Sequence, residues 1–587
     1  MISHKHISKT VVLLIAVATC LCLLGAAFSG QISAYAASAG VAMNYETELF
    51  DTNEIMDINI IMDETDWADM LQNAISEEYY QCDVVVNGKT FYRTAIRPKG
   101  NTSLSSIAND PDTDRYSFKL EFDHYVVGQT CYGLDKLILN NNYADATNMK
   151  EALIYDMYRY LGADASLYNY AKVSVNGEYW GVYLALEAVE DSFLMRNYGV
   201  QNGSLYKPDS MDFGNKGGGG GFGSGSNGAN LNYTDDDPDS YTAIWDSEIT
   251  DSGKTDHKRV VSALKNISEG NDLESYMDID NLLRYMAVHI FSVNEDSLSG
   301  SMAHNYYLYE SGGKLNLIPW DYNLAFSGMG RSKNADSVIN SAIDDAFSST
   351  EFFDTLMENE EYHAKYYVYL QQLVTDYIDG GSFDSFYNRV RSQIDSLVES
   401  DPTVFYSYEE YTAAADTLYQ TVKLRGESIE GQINGSIPST ESAQQNSDAL
   451  VDASAINIET MGSMNTGNQG SGGMDMPEQK GENPPDDDFS GENFPDRDLP
   501  GRNEDTADRL DDSSDENRSG DMPDNDGGFP GGNGFPGDGK GDFVPAISQN
   551  STSVPAYDNL ILLGICLAIM IAALVFAALY HRRPRRQ

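Results

Sequence analysis

Two aspartates in the middle of the chain stand where carboxylates do chemistry. Asp296 lies in Ser292-Val-Asn-Glu-Asp-Ser297, directly after a predicted helix. Asp321 lies in Pro319-Trp320-Asp321-Tyr322, at the end of a hydrophobic predicted strand, where ligands commonly meet a site. Upstream, Lys119 alternates with Phe118 and Leu120 on a strand, and Glu151 sits on the helix that follows. Arg97, Lys99, Gly100 and Asn101 read as a basic, glycine-containing turn after another strand. Strand cation, helical acid, loop acid and strand-end acid follow one another in the order that phosphoryl transfer needs. That chemistry calls for positive charge at the phosphates, carboxylates on a divalent cation and one acceptor near the attacking hydroxyl. Each residue also has a plainer reading. By position alone Asp296 is a loop carboxylate capping the next turn, Asp321 a turn residue, Lys119 a solvent-facing strand lysine, and residues 97–101 a structural turn with exposed charges.

These groups need a scaffold, and residues 44–435 have the pattern for one. The expected fold is α+β, with strands first and helices later. Alternating segments predict strands over 56–62, 81–86, 89–97 and 117–122. Apolar residues at helical spacing over 148–161 end at Gly162, a helix-stop signal. Residues 170–175 and 179–187 flank Asn176-Gly177, a dipeptide suited to the positive-φ turn of a hairpin. A helix is expected over 280–291. A second hairpin, 303–309 with 314–319, turns at Gly312-Gly313. Residues 336–435 read as mainly helical.

Five short segments resemble the CotH kinase family, the spore-coat kinase H group. They are Ala95-Ile-Arg-Pro-Lys-Gly-Asn-Thr-Ser103, Tyr116-Ser-Phe-Lys-Leu-Glu-Phe122, Tyr132-Gly-Leu134 with Leu137-Ile-Leu-Asn-Asn141, Val175-Asn-Gly-Glu-Tyr-Trp-Gly-Val-Tyr183 with Glu187, and Ile318-Pro-Trp-Asp-Tyr-Asn323. They occur in the family's order across about 44–435. The resemblance implies an atypical protein-kinase-like domain of two lobes, a β-rich N-lobe and a mostly helical C-lobe. It implies ATP and Mg2+ (or Mn2+) as cofactors and a protein serine or threonine as acceptor. It casts Asp296 as the catalytic-loop aspartate and Asp321 as a metal ligand, with Asn305 as a second ligand and Asn323 as its neighbour and substitute. Lys119 would meet the nucleotide phosphates with Glu151 as its ion-pair partner, and Arg97 and Lys99 would cover the phosphates.

The ends of the chain predict its address. Lys5 and Lys9 precede an apolar run that closes at Ala34-Tyr35-Ala36, the form of a signal peptide over residues 1–36. Leu560 to Leu579 is unbroken apolar sequence, long enough as a helix to cross a bilayer core of roughly 30 Å. The basic tail 581–587 follows, and positive charge marks the cytoplasmic side. The expectation is a single-pass cell-membrane protein (span 560–580) with an extracellular ectodomain. Between the two, residues 436–557 read as a disordered acidic stalk, since 441–550 hold 25 Asp and Glu against 6 Lys and Arg with little apolar periodicity. The run 214–228 is glycine-rich without the spacing of a phosphate loop and reads as an insertion.

Composition also excludes function classes. A net charge of −52 opposes nucleic-acid binding, which needs clustered Lys and Arg. The histidines lack metal-ligand spacing, and no Gly-x-Ser-x-Gly elbow or Cys-His pairing supports a hydrolase. The predicted ectodomain holds two cysteines, Cys82 and Cys131; export permits a disulfide between them, and two buried thiols fit as well. Two functions follow: a surface kinase acting on a cell-surface or spore-coat protein, or a catalytically inactive kinase-shaped binding or adhesion module. A calcium-binding role for the acidic stalk lacks the spacing of a calcium loop.

Overall fold

The computed structural model describes residues 40–199, 203–208, 227–300, 302–329, 334–345, 347 and 349–464. Chain contacts divide the protein into two units, Ala27–Gly472 and Met1–Ala26 with Gly473–Gln587, and every described residue falls in the first. The predicted signal peptide 1–36, the span 560–580, the tail 581–587, the stalk beyond 464 and most of the glycine-rich run lie outside the described residues. Among the described residues no helix is long and apolar enough to cross a membrane.

Seven strands close into a barrel: β1 (Met56–Ile61), β2 (Tyr80–Val86), β3 (Lys89–Lys99), β4 (Ser117–Glu121), β5 (Lys136–Asn140), β6 (Tyr168–Val175) and β7 (Glu178–Glu187). Their order is β1-β2-β3-β4-β5-β7-β6, and the seam is the parallel pairing of β1 with β6. Closure leaves no unpaired sheet edge in the barrel. Alternation along each strand sends Ile58, Ile60, Val84, Val86, Phe118, Leu120, Leu137 and Leu139 into one buried cluster. The β6–β7 turn is Asn176-Gly177, with φ of 52° and 88°, as hairpin chemistry predicts.

The rest is largely helical around a second core. The helix α1 (Lys150–Leu161) ends at Gly162 with φ 71°. Helix α2 (Ile279–Ser292) begins at Asp278, whose side chain accepts from the backbone N–H of Asn281. A three-stranded sheet, β8 (Ser204–Tyr206), β9 (Tyr306–Ser311) and β10 (Lys314–Pro319), runs β10-β9-β8. Helices α3 (Glu360–Gln372), α4 (Ser382–Ser400) and α5 (Tyr408–Asn434) follow. The fold is therefore mixed α/β, with the strands of the barrel first and the long helices last.

Two differences from the sequence reading bear on the site. Strand β3 runs on to Lys99, two residues past the predicted end, because Pro98 and Lys99 pair with Phe118 and Ser117. Lys99 is thus a strand residue and not part of a turn. The stalk also does not begin at 436. Residues 436–464 pack on the domain, burying Ile437, Ala453, Ile458 and Met461. Their backbone bonds the body at Ala453 N to Asp336 (2.8 Å) and Met464 N to Gly328 O (2.9 Å). A few well-placed apolar residues in polar sequence do this, below the resolution of a compositional argument. Cys82 and Cys131 are buried free thiols, and burial pushes the Cys82 thiol up to about 12.

Candidate functional site

A cavity of about 370 Å3 lies where the end of β3, the β5–α1 connection, the loop after α2 and the end of β10 meet. Among the residues singled out from the sequence, Arg97, Lys99, Glu151, Asp296, Asn305 and Asp321 line it and Lys119 does not. Polar groups from Asn140, Lys207, His304 and Asn323 complete it.

Strand β3 and helix α1 supply a relay from cation to acid. The Lys99 ammonium donates to Asn140 Oδ1 (3.1 Å), and the Asn140 amide donates to Glu151 Oε2 (2.8 Å). Glu151 Oε1 accepts from the backbone N–H of Tyr322 (3.4 Å), so the relay ends beside Asp321. Glu151 is 2% exposed. Burial raises its carboxyl most, the neighbouring Asp321 carboxylate adds to the rise, and Asn140 and Lys99 oppose it.

Asp321 follows β10 with φ 62°, a left-handed conformation that Asp tolerates better than most residues. Burial is also the main cause that raises its carboxyl. Lys99 pulls it down, Asp296 pushes it up, and Lys207 and His304 pull it down. Asn305 has φ 57° and Val293, which caps α2, has φ 46°. Asn142, which also lines the cavity, has φ 59°, and three strained non-glycine residues lining one cavity are a sign of functional constraint.

The loop after α2 holds Asp296 by both carboxylate oxygens. His304 Nε2 lies 2.8 Å from Oδ1, and the Asn305 amide donates to Oδ2 at 3.0 Å and to the Asp296 carbonyl at 2.9 Å. Asn294 ties this loop to the other aspartate. Its side chain accepts from Asp296 N (3.2 Å) and donates to Asp321 O (3.3 Å). Behind them His289 of α2 bridges Tyr322 OH (3.0 Å) and Ser299 Oγ (2.7 Å). Both acid-bearing segments therefore hang on one buried imidazole. Burial pushes His289 down to about 3, so it is neutral.

Two expected roles change. Lys119 does not enter the cavity or meet Glu151. Phe118 and Leu120 occupy the barrel interior, which turns Lys119 to the outer face, where it pairs with Glu190 at 2.7 Å. Alternation along the strand thus identified its face but not its partner, and Lys99 stands where Lys119 was expected. Arg97 lines the cavity with its charge already compensated by Glu77 (2.9 Å) and its guanidinium over the Tyr79 ring. Asn294, His304 and Lys207 carried no signal in the sequence, because nothing local marks them as neighbours of Asp296 or Asp321.

The donor set suits a hard divalent cation. Asp321 offers a carboxylate, and Asn305 and Asn323 offer amide oxygens, since their amide nitrogens are committed to Asp296 and to Tyr143 O (2.9 Å). Mg2+ is bound in this manner, through one or two carboxylates together with substrate phosphates and water. No cluster of three or more His, Cys, Asp or Glu side chains suited to a metal occurs among the described residues.

Comparison with known proteins identifies the family. Residues 96–429 match the family described as CotH kinase protein, a stretch that begins in β3, ends in α5 and contains the cavity residues named above apart from Glu77. The chain is also similar to the inner spore coat protein H of Bacillus subtilis (strain 168), 26% identical over 205 residues. That alignment covers 33% of this chain, and the chain spans about half, 51%, of that relative's length. The family match extends over more than half of the sequence, and the chain belongs to the CotH kinase protein family.

Proposed function

We propose that this protein is an ATP- and Mg2+-dependent (or Mn2+-dependent) kinase that phosphorylates serine or threonine of a protein on the cell surface or the spore coat. The observation that carries this reading is the convergence on one cavity of the Lys99–Asn140–Glu151 relay from the strand-rich half and Asp296, Asn305 and Asp321 from the helical half. The two halves then act as the lobes of a kinase. Placement outside the cell on a single-pass anchor is part of the same proposal, as is the spore-coat setting suggested by the name of the similar Bacillus subtilis protein.

Bound Mg2+ supplies charge neutralisation at the phosphates. Lys99, held by Asn140, would contact the nucleotide phosphates. Asp321 and Asn305 would hold the cation. Asp296, fixed by His304 and Asn305, would orient the acceptor hydroxyl and take its proton as the new oxygen–phosphorus bond forms and the bond to the ADP oxygen breaks. Such catalysis is mostly positioning and electrostatics, and a carboxylate anchored at both oxygens provides both.

The test uses purified chain with ATP, with and without Mg2+. Kinase function requires a Mg2+-dependent rise in unfolding temperature with ATP, and incorporation of labelled phosphate that Asp321→Ala abolishes. ATP binding without any transfer leaves the inactive, kinase-shaped binding module as the function. Absence of both signals removes the nucleotide site altogether.

A further inference from the structure

The cavity contains a lysine that no strand pattern announces. Lys207 leaves β8 just before Pro208, and its backbone N–H is fixed to Ser247 O (3.0 Å). Its ammonium lies 5.8 Å from the centre of the Trp320 ring and 5.6 Å from that of Tyr307. Lys99 Nζ lies 5.7 Å from the same Trp320 ring. Trp320 is 4% exposed and directly precedes Asp321. Two ammonium groups, one from the barrel and one from the small sheet, thus gather around one buried indole beside the Asp321 carboxylate.

Charge balance gives this arrangement meaning. Arg97 is neutralised by Glu77 and so brings no net charge to the cavity. The cavity also carries the carboxylates of Asp296 and Asp321. A polyphosphate entering beside two aspartates needs more positive charge than Lys99 and one divalent cation provide. Lysine serves as a compact point charge at such positions. The placement of its ammonium near the Tyr307 and Trp320 rings limits the rotamers it would have to give up on binding.

Resting on the kinase reading above, we propose that Lys207 is a second phosphate-contacting cation, acting on the β- or γ-phosphate of the nucleotide from the small-sheet side of the cavity. The alternative is a purely structural peg that holds Trp320 by cation–π contact. The two differ in what they do to nucleotides with different phosphate number. A phosphate contact matters for ATP and not for AMP, whereas a peg that shapes the cavity matters for both.

The experiment is titration calorimetry of the full chain and its Lys207→Met and Lys207→Arg variants with ATP, ADP and AMP in Mg2+. Lys207→Met is expected to weaken ATP by about tenfold, to leave AMP unchanged, and to be largely rescued by Lys207→Arg. The ATP-to-AMP affinity ratio is read within each folded variant, so a lowered unfolding temperature does not obscure it. Unchanged ATP affinity in Lys207→Met, or equal losses for ATP and AMP, overturns the inference while leaving the kinase reading in place. Failure of the wild-type chain to bind any of the three overturns the kinase reading itself, and the role of Lys207 with it.

Discussion

The side-chain amide of Asn305 donates to both the carbonyl and the carboxylate of Asp296, nine residues earlier, at 2.9 and 3.0 Å. This pair of hydrogen bonds makes Asn305 the brace of the aspartate as well as a candidate metal ligand. Asn305→Ala is expected to lower kcat on the order of a hundredfold, the usual cost of losing one positioned polar group at a transition state. Asn305→Asp, which removes the donor but keeps an oxygen ligand, should retain Mg2+-dependent ATP binding and still lose turnover. Paired thermal-shift and phosphate-transfer assays separate the two losses.

Lys99 lines the cavity and Lys119, which the family resemblance had placed at the phosphates, does not, and the difference is directly measurable. Lys99→Met should raise KM for ATP and lower kcat, together costing on the order of a hundredfold or more in kcat/KM. Lys119→Met should leave kinetics within about twofold, since its partner Glu190 also pairs with Lys136 outside the cavity. A strong kinetic defect in Lys119→Met with a silent Lys99→Met would reverse the assignment.

Arg115 carries a stability prediction. It is 2% exposed and pairs with the fully buried Asp401, just past α4, at 2.9 Å, bridging the barrel to the helical part. Gly181 must lack a side chain there, because a Cβ would sit 2.3 Å from the Arg115 guanidinium. Arg115→Ala should cost about 3–5 kcal/mol by leaving the buried Asp401 carboxylate without a counter-charge. Denaturant unfolding of Arg115→Ala, Asp401→Asn and the double variant should show losses that are far from additive.

His289 predicts a pH dependence of stability. Its folded value of about 3 lies below the ordinary 6.5, so the unfolded chain takes up the proton first. The contribution of neutral His289 is fully present above pH 6.5 and is lost as pH falls toward 3. That amounts to about 3 kcal/mol by pH 4. In His289→Gln this part of the acid slope should vanish, measured as the difference in unfolding free energy between the two proteins from pH 7 to pH 4.

Gly462 reports on the segment that passes under the cavity. The buried Lys150 ammonium donates to its carbonyl (3.2 Å), and Ala146 N donates to Met461 O (3.1 Å). With φ 80° and a Cβ position 2.8 Å from Ala144 O and Ala146 N, Gly462 cannot become alanine without displacement. Met464 lines the cavity itself. Gly462→Ala is therefore expected to cost about 1–3 kcal/mol and to raise KM for ATP more than it changes kcat, checked by unfolding and initial-rate measurements.

Several of these relationships were already legible in the residues. Asn176-Gly177 specifies a hairpin because its φ values are positive, and alternation over Phe118-Lys119-Leu120 specifies which side of β4 is buried. Asp321 could be singled out because it follows a hydrophobic strand, whereas Asp296, by position alone a loop carboxylate, was singled out by the resemblance to the CotH kinase family. Local chemistry of this kind is encoded in spacing, and spacing is what a sequence displays. The choice of Lys99 over Lys119, the grip of His304 on Asp296, the arrival of Lys207 beside Trp320 and the docking of 436–464 join residues far apart in the chain. Only closure of the barrel and its packing against the helices decided them, because a side chain's face follows from its neighbours in sequence but its partner follows from what the fold brings opposite.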